Sequence, residues 1–159
     1  MVGHLVFSTL HTNDAPRAIT RLLDMDVEPF LLTSSIIGVI AQHLIRLNCP
    51  SCTEEYTPGE EELAFYYEIT GENTAPRFFQ GQGCENCLYI GFRGRTAIYE
   101  VMPVDGKMRE IILNSGHTEE IKHHVLTQGM ITPLTDGVQR AKEGKTTLKE
   151  VLQVAYTMF

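Results

Sequence analysis

The sequence predicts a mixed α/β chain in three parts: an opening α/β segment, a small four-cysteine module and a mainly helical remainder. Three observations carry this reading. Gly3 to Leu10 form a nearly continuous apolar run of strand length, the pattern of a strand covered on both faces of its sheet. All four cysteines fall in two C-x-x-C pairs, Cys49 with Cys52 and Cys84 with Cys87. From Gly106 onward, helical spacings alternate with glycines and capping residues.

After the apolar run, Asn13 or Asp14 is placed to cap a helix whose first turn takes Pro16. Ala15, Ile19, Leu22 and Leu23 supply its apolar spacing, and Asp26-Val27-Glu28-Pro29 ends it. A second helix is expected over Phe30 to Leu47, up to the first cysteine pair. Its Thr33, Ser34, Ser35, Gln42, His43 and Arg46 make it a poor membrane span and a reasonable amphipathic helix. Residues 53 to 83 form a polar, acidic insert in which Leu63, Phe65, Tyr66, Tyr67 and Ile69 suit a short helix.

Thr96 to Val101 alternate as a strand does. Helices follow over Gly106 to Asn114, closed by Gly116; over Glu119 to Thr127, capped by Thr118 and closed by Gly129; and over Thr135 to Glu143, closed by Gly144. The last runs from Leu148 to the end, with a capping box in Thr147-Leu148-Lys149-Glu150. No strand upstream is available to flank the first run. That run is therefore expected to be disordered, to pair with Thr96 to Val101, or to pair with the same run of a second molecule, the last being favoured.

The charge balance narrows the function classes. Twenty Asp and Glu against 13 Lys and Arg give a net charge of −7, which argues against general nucleic-acid binding, since that rests on neutralising phosphates. Met1 to Phe7 carry no cationic region before their short apolar run, so no secretory signal is read and a reducing compartment is expected.

In that setting paired C-x-x-C turns are metal-binding or redox-active more often than disulfide-bonded. Each turn brings two thiolates onto one ion, and two turns complete a tetrahedral sulfur site that suits zinc. Four protein ligands leave no open position, so Cys49, Cys52, Cys84 and Cys87 are read as a structural zinc site that replaces a core in the weakly apolar insert. Reduced thiols, two disulfides and a rubredoxin-like iron centre are the alternatives. His11 stands where the first run gives way to a helix, a position where ligands bind in open α/β sheets. It is read either as a phosphate- or water-contacting side chain or as a histidine satisfying a loop carbonyl. His4, taken as buried in the strand, and His117, His123 and His124, on helical faces, are read as structural.

Several segments together resemble the GspE/PilB family of type II secretion and type IV pilus assembly ATPases. Gly3-His4-Leu5-Val6-Phe7-Ser8-Thr9-Leu10-His11-Thr12-Asn13-Asp14-Ala15 looks like that family's His box. Ala18-Ile19-Thr20-Arg21-Leu22-Leu23-Asp24-Met25, Ala41-Gln42-His43-Leu44-Ile45-Arg46 and Gly91-Phe92-Arg93-Gly94-Arg95-Thr96-Ala97-Ile98-Tyr99-Glu100 continue it in order. Gly129-Met130, Asp136-Gly137, Gly144-Lys145-Thr146-Thr147 and Glu150-Val151 complete it.

The resemblance implies the remnant of a RecA-like P-loop ATPase domain over 1–48, a tetracysteine zinc module over 49–90 and a mainly helical C-terminal domain over 91–159. It implies a phosphate-proximal role for His11, and nucleotide or subunit contacts for Thr9, Thr12, Arg21 and Arg46. It further implies a cytoplasmic homohexamer docked on an inner-membrane platform protein, using ATP and Mg²⁺.

The sequence departs from the family in respects that bear on activity. It contains no G-x-x-x-x-G-K-S/T and no acidic strand to hold Mg²⁺. Gly144-Lys145-Thr146 follows a helix and lacks the upstream glycine of a phosphate loop. His43 stands where the family usually has Arg. Met1-Val2 reads as a start placed inside the ATPase domain. The expected function is thus a portion of a motor ATPase, inactive alone, with a free-standing zinc-ribbon interaction module as the alternative.

Overall fold

The computed structural model describes residues 4–114 and 116–158. Met1-Val2, with Gly3, Ser115 and Phe159, lies outside them. The chain divides into two compact units, residues 1–41 with 101–129 and residues 42–100 with 130–159.

In the first unit, α1 (Ala15–Asp24) begins as anticipated: Asp14 is the N-cap, its carboxylate accepting from the Arg17 backbone N–H at 2.8 Å. Helix α2 (Pro29–Ser35) starts on a proline at its first position. Helices α4 (Gly106–Asn114) and α5 (Thr118–Thr127) complete the unit. Helix α1 packs on α5, α2 on α4, and α4 on α5, burying Ile19, Leu32, Met108, Ile112, Ile121 and Val125. The cap of α5 differs from expectation. His117 occupies the N-cap without a side-chain bond, and the Thr118 hydroxyl donates to Thr20 instead.

The sequence expectations for the first run and for the long second helix fail. Residues 4–12 form neither strand nor helix, and His4, Leu5, Val6 and Phe7 are exposed, Phe7 by 87%. Among the described residues no strand pairs with this run, so it gains nothing from an extended ladder. Pairing with Thr96 to Val101 is also overturned, because that segment's partner is β1 (Gly38–Asn48). The second correction is β1 itself. The helix expected over Phe30 to Leu47 stops at Ser35, and the rest is strand, pairing with β4 (Phe92–Pro103). Burial along β1 alternates with period two, Ala41 and Ile45 inward. Ile40 and Leu44 on the outward face are apolar yet 63% and 53% exposed, which makes the alternation read as a continuous apolar run.

The second unit is built on a core the sequence did not disclose. Helix α3 (Glu60–Thr70) contributes Phe65 and Tyr66, and β3 (Phe78–Gly81) contributes Phe78. They pack against Val138 and Ala141 of α6 (Pro133–Lys142) and Leu148, Val151 and Ala155 of α7 (Leu148–Met158). Tyr66 meets Phe78 edge-on at 5.4 Å between ring centroids, and its hydroxyl donates to Glu72, which also takes Lys142 at 2.8 Å. The insert therefore shares a hydrophobic core with α6 and α7, contrary to the expectation that a metal replaces one. β2 (Thr53–Tyr56) pairs antiparallel with β3, Thr53 opposite Gly81 and Tyr56 opposite Phe78.

Helix caps in this unit follow the sequence in part. Thr132, not a later residue, caps α6, its hydroxyl accepting from the Thr135 N–H. Thr147 accepts from the Glu150 N–H as in a capping box, but the Glu150 carboxylate is turned to Arg46 instead of returning to the cap.

A four-cysteine candidate metal centre

Two tight turns carry the cysteines. In the first, immediately after β1, the Cys52 N–H donates to the Cys49 carbonyl at 3.2 Å. In the second, a single 3-10 turn over Glu85–Cys87, the Cys87 N–H donates to the Cys84 carbonyl at 3.1 Å. The turns are tied to each other through backbone and side chain: Gln82 N–H to Cys52 O at 2.9 Å, Cys49 N–H to Gly91 O at 2.9 Å, and Asn86 Nδ2 to Ser51 Oγ at 3.2 Å. The β2–β3 ribbon joins the turns, ending beside both.

Glycine is required where this ribbon meets the second turn. A Cβ on Gly81 would stand 1.9 Å from the Gly91 carbonyl oxygen, and one on Gly91 2.3 Å from the Gly81 oxygen, with Gly91 at a φ of +75°. Two backbones touch there, which no other residue pair permits.

All four sulfurs lie within 4.8 Å of one another. Cys49 to Cys84 is 3.9 Å, and Cys52 to Cys87 and Cys84 to Cys87 are each 3.8 Å. The cysteines are free thiols, so the disulfide alternative is overturned. The edge of a tetrahedron with metal–sulfur distances of about 2.3 Å is about 3.8 Å, so the donor set fits one four-coordinate ion. Backbone N–H groups aim at the sulfurs as well, Gly83 at Cys52 (3.3 Å) and Cys84 at Cys87 (3.2 Å). Burial opposes ionisation of Cys87, but the N–H groups of Cys84 and Gly91 and the adjoining thiols outweigh it and hold the thiol down at about 6. Burial, with the neighbouring thiols, pushes Cys52 up to about 12 against the Gly83 N–H. An ion drawing Cys52 into its shell must displace that proton.

The other candidate residues sit elsewhere. Thr9 and His11 are exposed and Thr12 half-buried in the irregular segment before α1, and Arg21 is exposed on α1. Arg46 lies on β1 in the same unit as the cysteines. Its guanidinium meets Glu150 at 2.6 to 3.0 Å and covers the Phe92 ring at 4.2 Å from the centroid. Glu150 and Asn48, which adjoins Cys49, carried no signal as site residues in the sequence. Gly144-Lys145-Thr146 forms no phosphate nest: the Gly144 and Lys145 N–H groups are spent on the carbonyls of Ala141 and Arg140 at the end of α6. Among the described residues, no helix is long and apolar enough to cross a membrane.

Comparison with known proteins covers nearly the whole chain. Residues 1–153 match the family described as Type II/IV secretion system protein. The Type II secretion system protein E of Pseudomonas aeruginosa is 46% identical over 156 residues, 97% of this chain and 30% of that protein. The Type IV pilus assembly ATPase PilB of Thermus thermophilus is 43% identical over 152 residues, 96% of this chain and 17% of that protein. The Type II secretion system ATPase E of Vibrio cholerae is 39% identical over 156 residues, 97% of this chain and 30% of that protein. The chain thus spans less than a third of the length of these relatives.

Proposed function

The chain belongs to the Type II/IV secretion system protein family, and from that membership we propose that it is the zinc-bearing C-terminal portion of an ATPase that powers type II secretion or type IV pilus assembly. The observation that carries the reading is the four-sulfur cluster, set in a sequence that matches secretion and pilus ATPases almost from end to end. Thiolate donors at tetrahedral separation favour zinc among common metals. A zinc ion held by Cys49, Cys52, Cys84 and Cys87 cross-links the two turns and supplies no open position for chemistry.

The rest of the reading follows the family. Residues 1–48 belong to a RecA-like nucleotide domain, 49–90 to the zinc module and 91–159 to a C-terminal helical domain. The phosphate loop and the Mg²⁺ carboxylate are supplied by the longer parent protein, since this sequence contains neither. The exposed His11, with Thr9, Thr12 and Arg21, faces the nucleotide or the neighbouring subunit in the assembled parent, as does the half-exposed edge of Arg46. The parent is a cytoplasmic homohexamer working against an inner-membrane platform protein.

Labelled-ATP binding to this chain and to the full-length parent tests the proposal. The chain alone binds and hydrolyses no ATP, while the parent does both. In the parent, His11→Ala lowers the catalytic rate more than it weakens nucleotide binding. Magnesium-dependent turnover by the isolated chain, or equal losses of rate and binding in the variant, contradict it.

A further inference from the structure

The Gly144-Lys145-Thr146-Thr147 motif is left without a role once it is excluded as a phosphate loop, and its contacts converge on one place. The Lys145 carbonyl accepts from the Asn48 backbone N–H at 2.8 Å. The Gly144 carbonyl accepts from Asn48 Nδ2 at 3.0 Å, and the Thr146 hydroxyl, fully buried, donates to the Arg46 carbonyl at 2.8 Å. These three bonds clamp the last residues of β1 just before Cys49. The second Asn48 amide hydrogen goes to the Phe79 carbonyl on β3 at 2.9 Å. That strand leads through Gly81 and Gly83 into Cys84. Asn48 thus joins the base of the first cysteine turn to the strand that feeds the second.

The two carbonyls fix the orientation of the Asn48 amide, because only its NH₂ end can serve both. Its Oδ1 is buried with no hydrogen-bond partner, so the residue is held here for its two donors. The approach is close: Gly144 stands at a φ of +74°, which an L side chain rarely adopts, and a Cβ there would press on the Phe79 ring at 3.1 Å.

We propose that Asn48 and the Gly144–Thr146 loop are positioning residues for the metal centre, setting the spacing between its two cysteine turns. This rests on the zinc reading of the four cysteines. Asn48→Asp keeps the shape but replaces the NH₂ group that serves both bonds with a carboxylate oxygen facing two carbonyls. Thr146→Val keeps the shape and removes the hydroxyl, and Thr146→Ser restores it.

The test loads the full chain and these variants with cobalt(II) and with zinc(II). It records the cobalt thiolate and d–d bands, and the rate at which a chromophoric chelator strips zinc. Outer partners of metal ligands typically change metal affinity by about 10- to 100-fold. Asn48→Asp is expected to shift the cobalt bands and to release zinc at least about tenfold faster. Thr146→Val shows a smaller increase, and Thr146→Ser behaves as the parent sequence. If Asn48→Asp does not fold, the Thr146 pair decides. The proposal is overturned if the variants release zinc at the parent rate with unchanged bands, or if Thr146→Ser fails as Thr146→Val does. A parent chain that binds neither metal overturns it together with the zinc reading, whereas normal binding in unresponsive variants overturns it alone.

Discussion

Glu150 holds Arg46 at two levels, accepting from its backbone N–H at 3.0 Å and gripping its guanidinium at 2.6 to 3.0 Å, although the two residues stand 104 positions apart. The guanidinium also lies over Phe92, so the end of β1, the start of β4 and the first turn of α7 meet at one ion pair. The Glu150 side chain is 10% exposed and that of Arg46 46%, which places the pair between a surface bridge and a buried one.

The pair has a definite pH signature. Burial opposes ionisation of Glu150, but its bonds to Arg46 outweigh that and lower its pKa below the ordinary carboxylate value. A carboxyl whose folded pKa is depressed stabilises the fold above its unfolded pKa of about 4.3, and loses that contribution as pH falls through the folded value. Glu150→Gln is therefore expected to cost about 1 to 2 kcal/mol at pH 7, discounted for the exposure of Arg46. The difference from the parent sequence closes as the solution is acidified through the carboxylate range. Urea unfolding of both proteins across pH 3 to 7 measures it. A difference that does not change with pH assigns the loss to packing.

The core of the insert predicts a large mutational effect far from the cysteines. Phe78 is 1% exposed and packs edge-on against Tyr66. Phe78→Ala is expected to destabilise the second unit by about 3 kcal/mol, measured as a lowered denaturant midpoint. A loss under about 1 kcal/mol means that this core is not a principal source of stability.

How far the sequence disclosed this arrangement depends on whether the deciding partners were local. Helix α4 was legible to the residue, and α1, α6 and α7 within a few, because caps and glycines beside them end them. The cysteine cluster was legible because each pair is itself one turn. β1 was misread as helix because Ile40 and Leu44, outward and exposed, hide its alternation. The insert reads as short of apolar residues because the partners of Phe65, Tyr66 and Phe78 come from α6 and α7, far along the chain. Glu150 was legible as part of a capping box, but nothing local revealed that its carboxylate is committed to Arg46.

Because the insert shares a hydrophobic core with α6 and α7, metal removal should loosen it only locally. After chelation under reducing conditions, amide exchange is expected to accelerate over residues 49–54 and 82–91, while α3, α6 and α7 keep their protection. Cys84→Ser gives the same pattern. Hydrogen exchange read by mass spectrometry separates the outcomes. Loss of protection throughout the second unit means that the ion carries the whole fold, and no change anywhere means that it carries none of it.

Metal content per chain is the most direct test of the central claim. Protein purified under reducing conditions and analysed for elements is predicted to hold one zinc per chain, falling toward zero when Cys49, Cys52, Cys84 or Cys87 is replaced by serine. A folded protein that contains no metal, and whose melting is unchanged by chelator, contradicts the account.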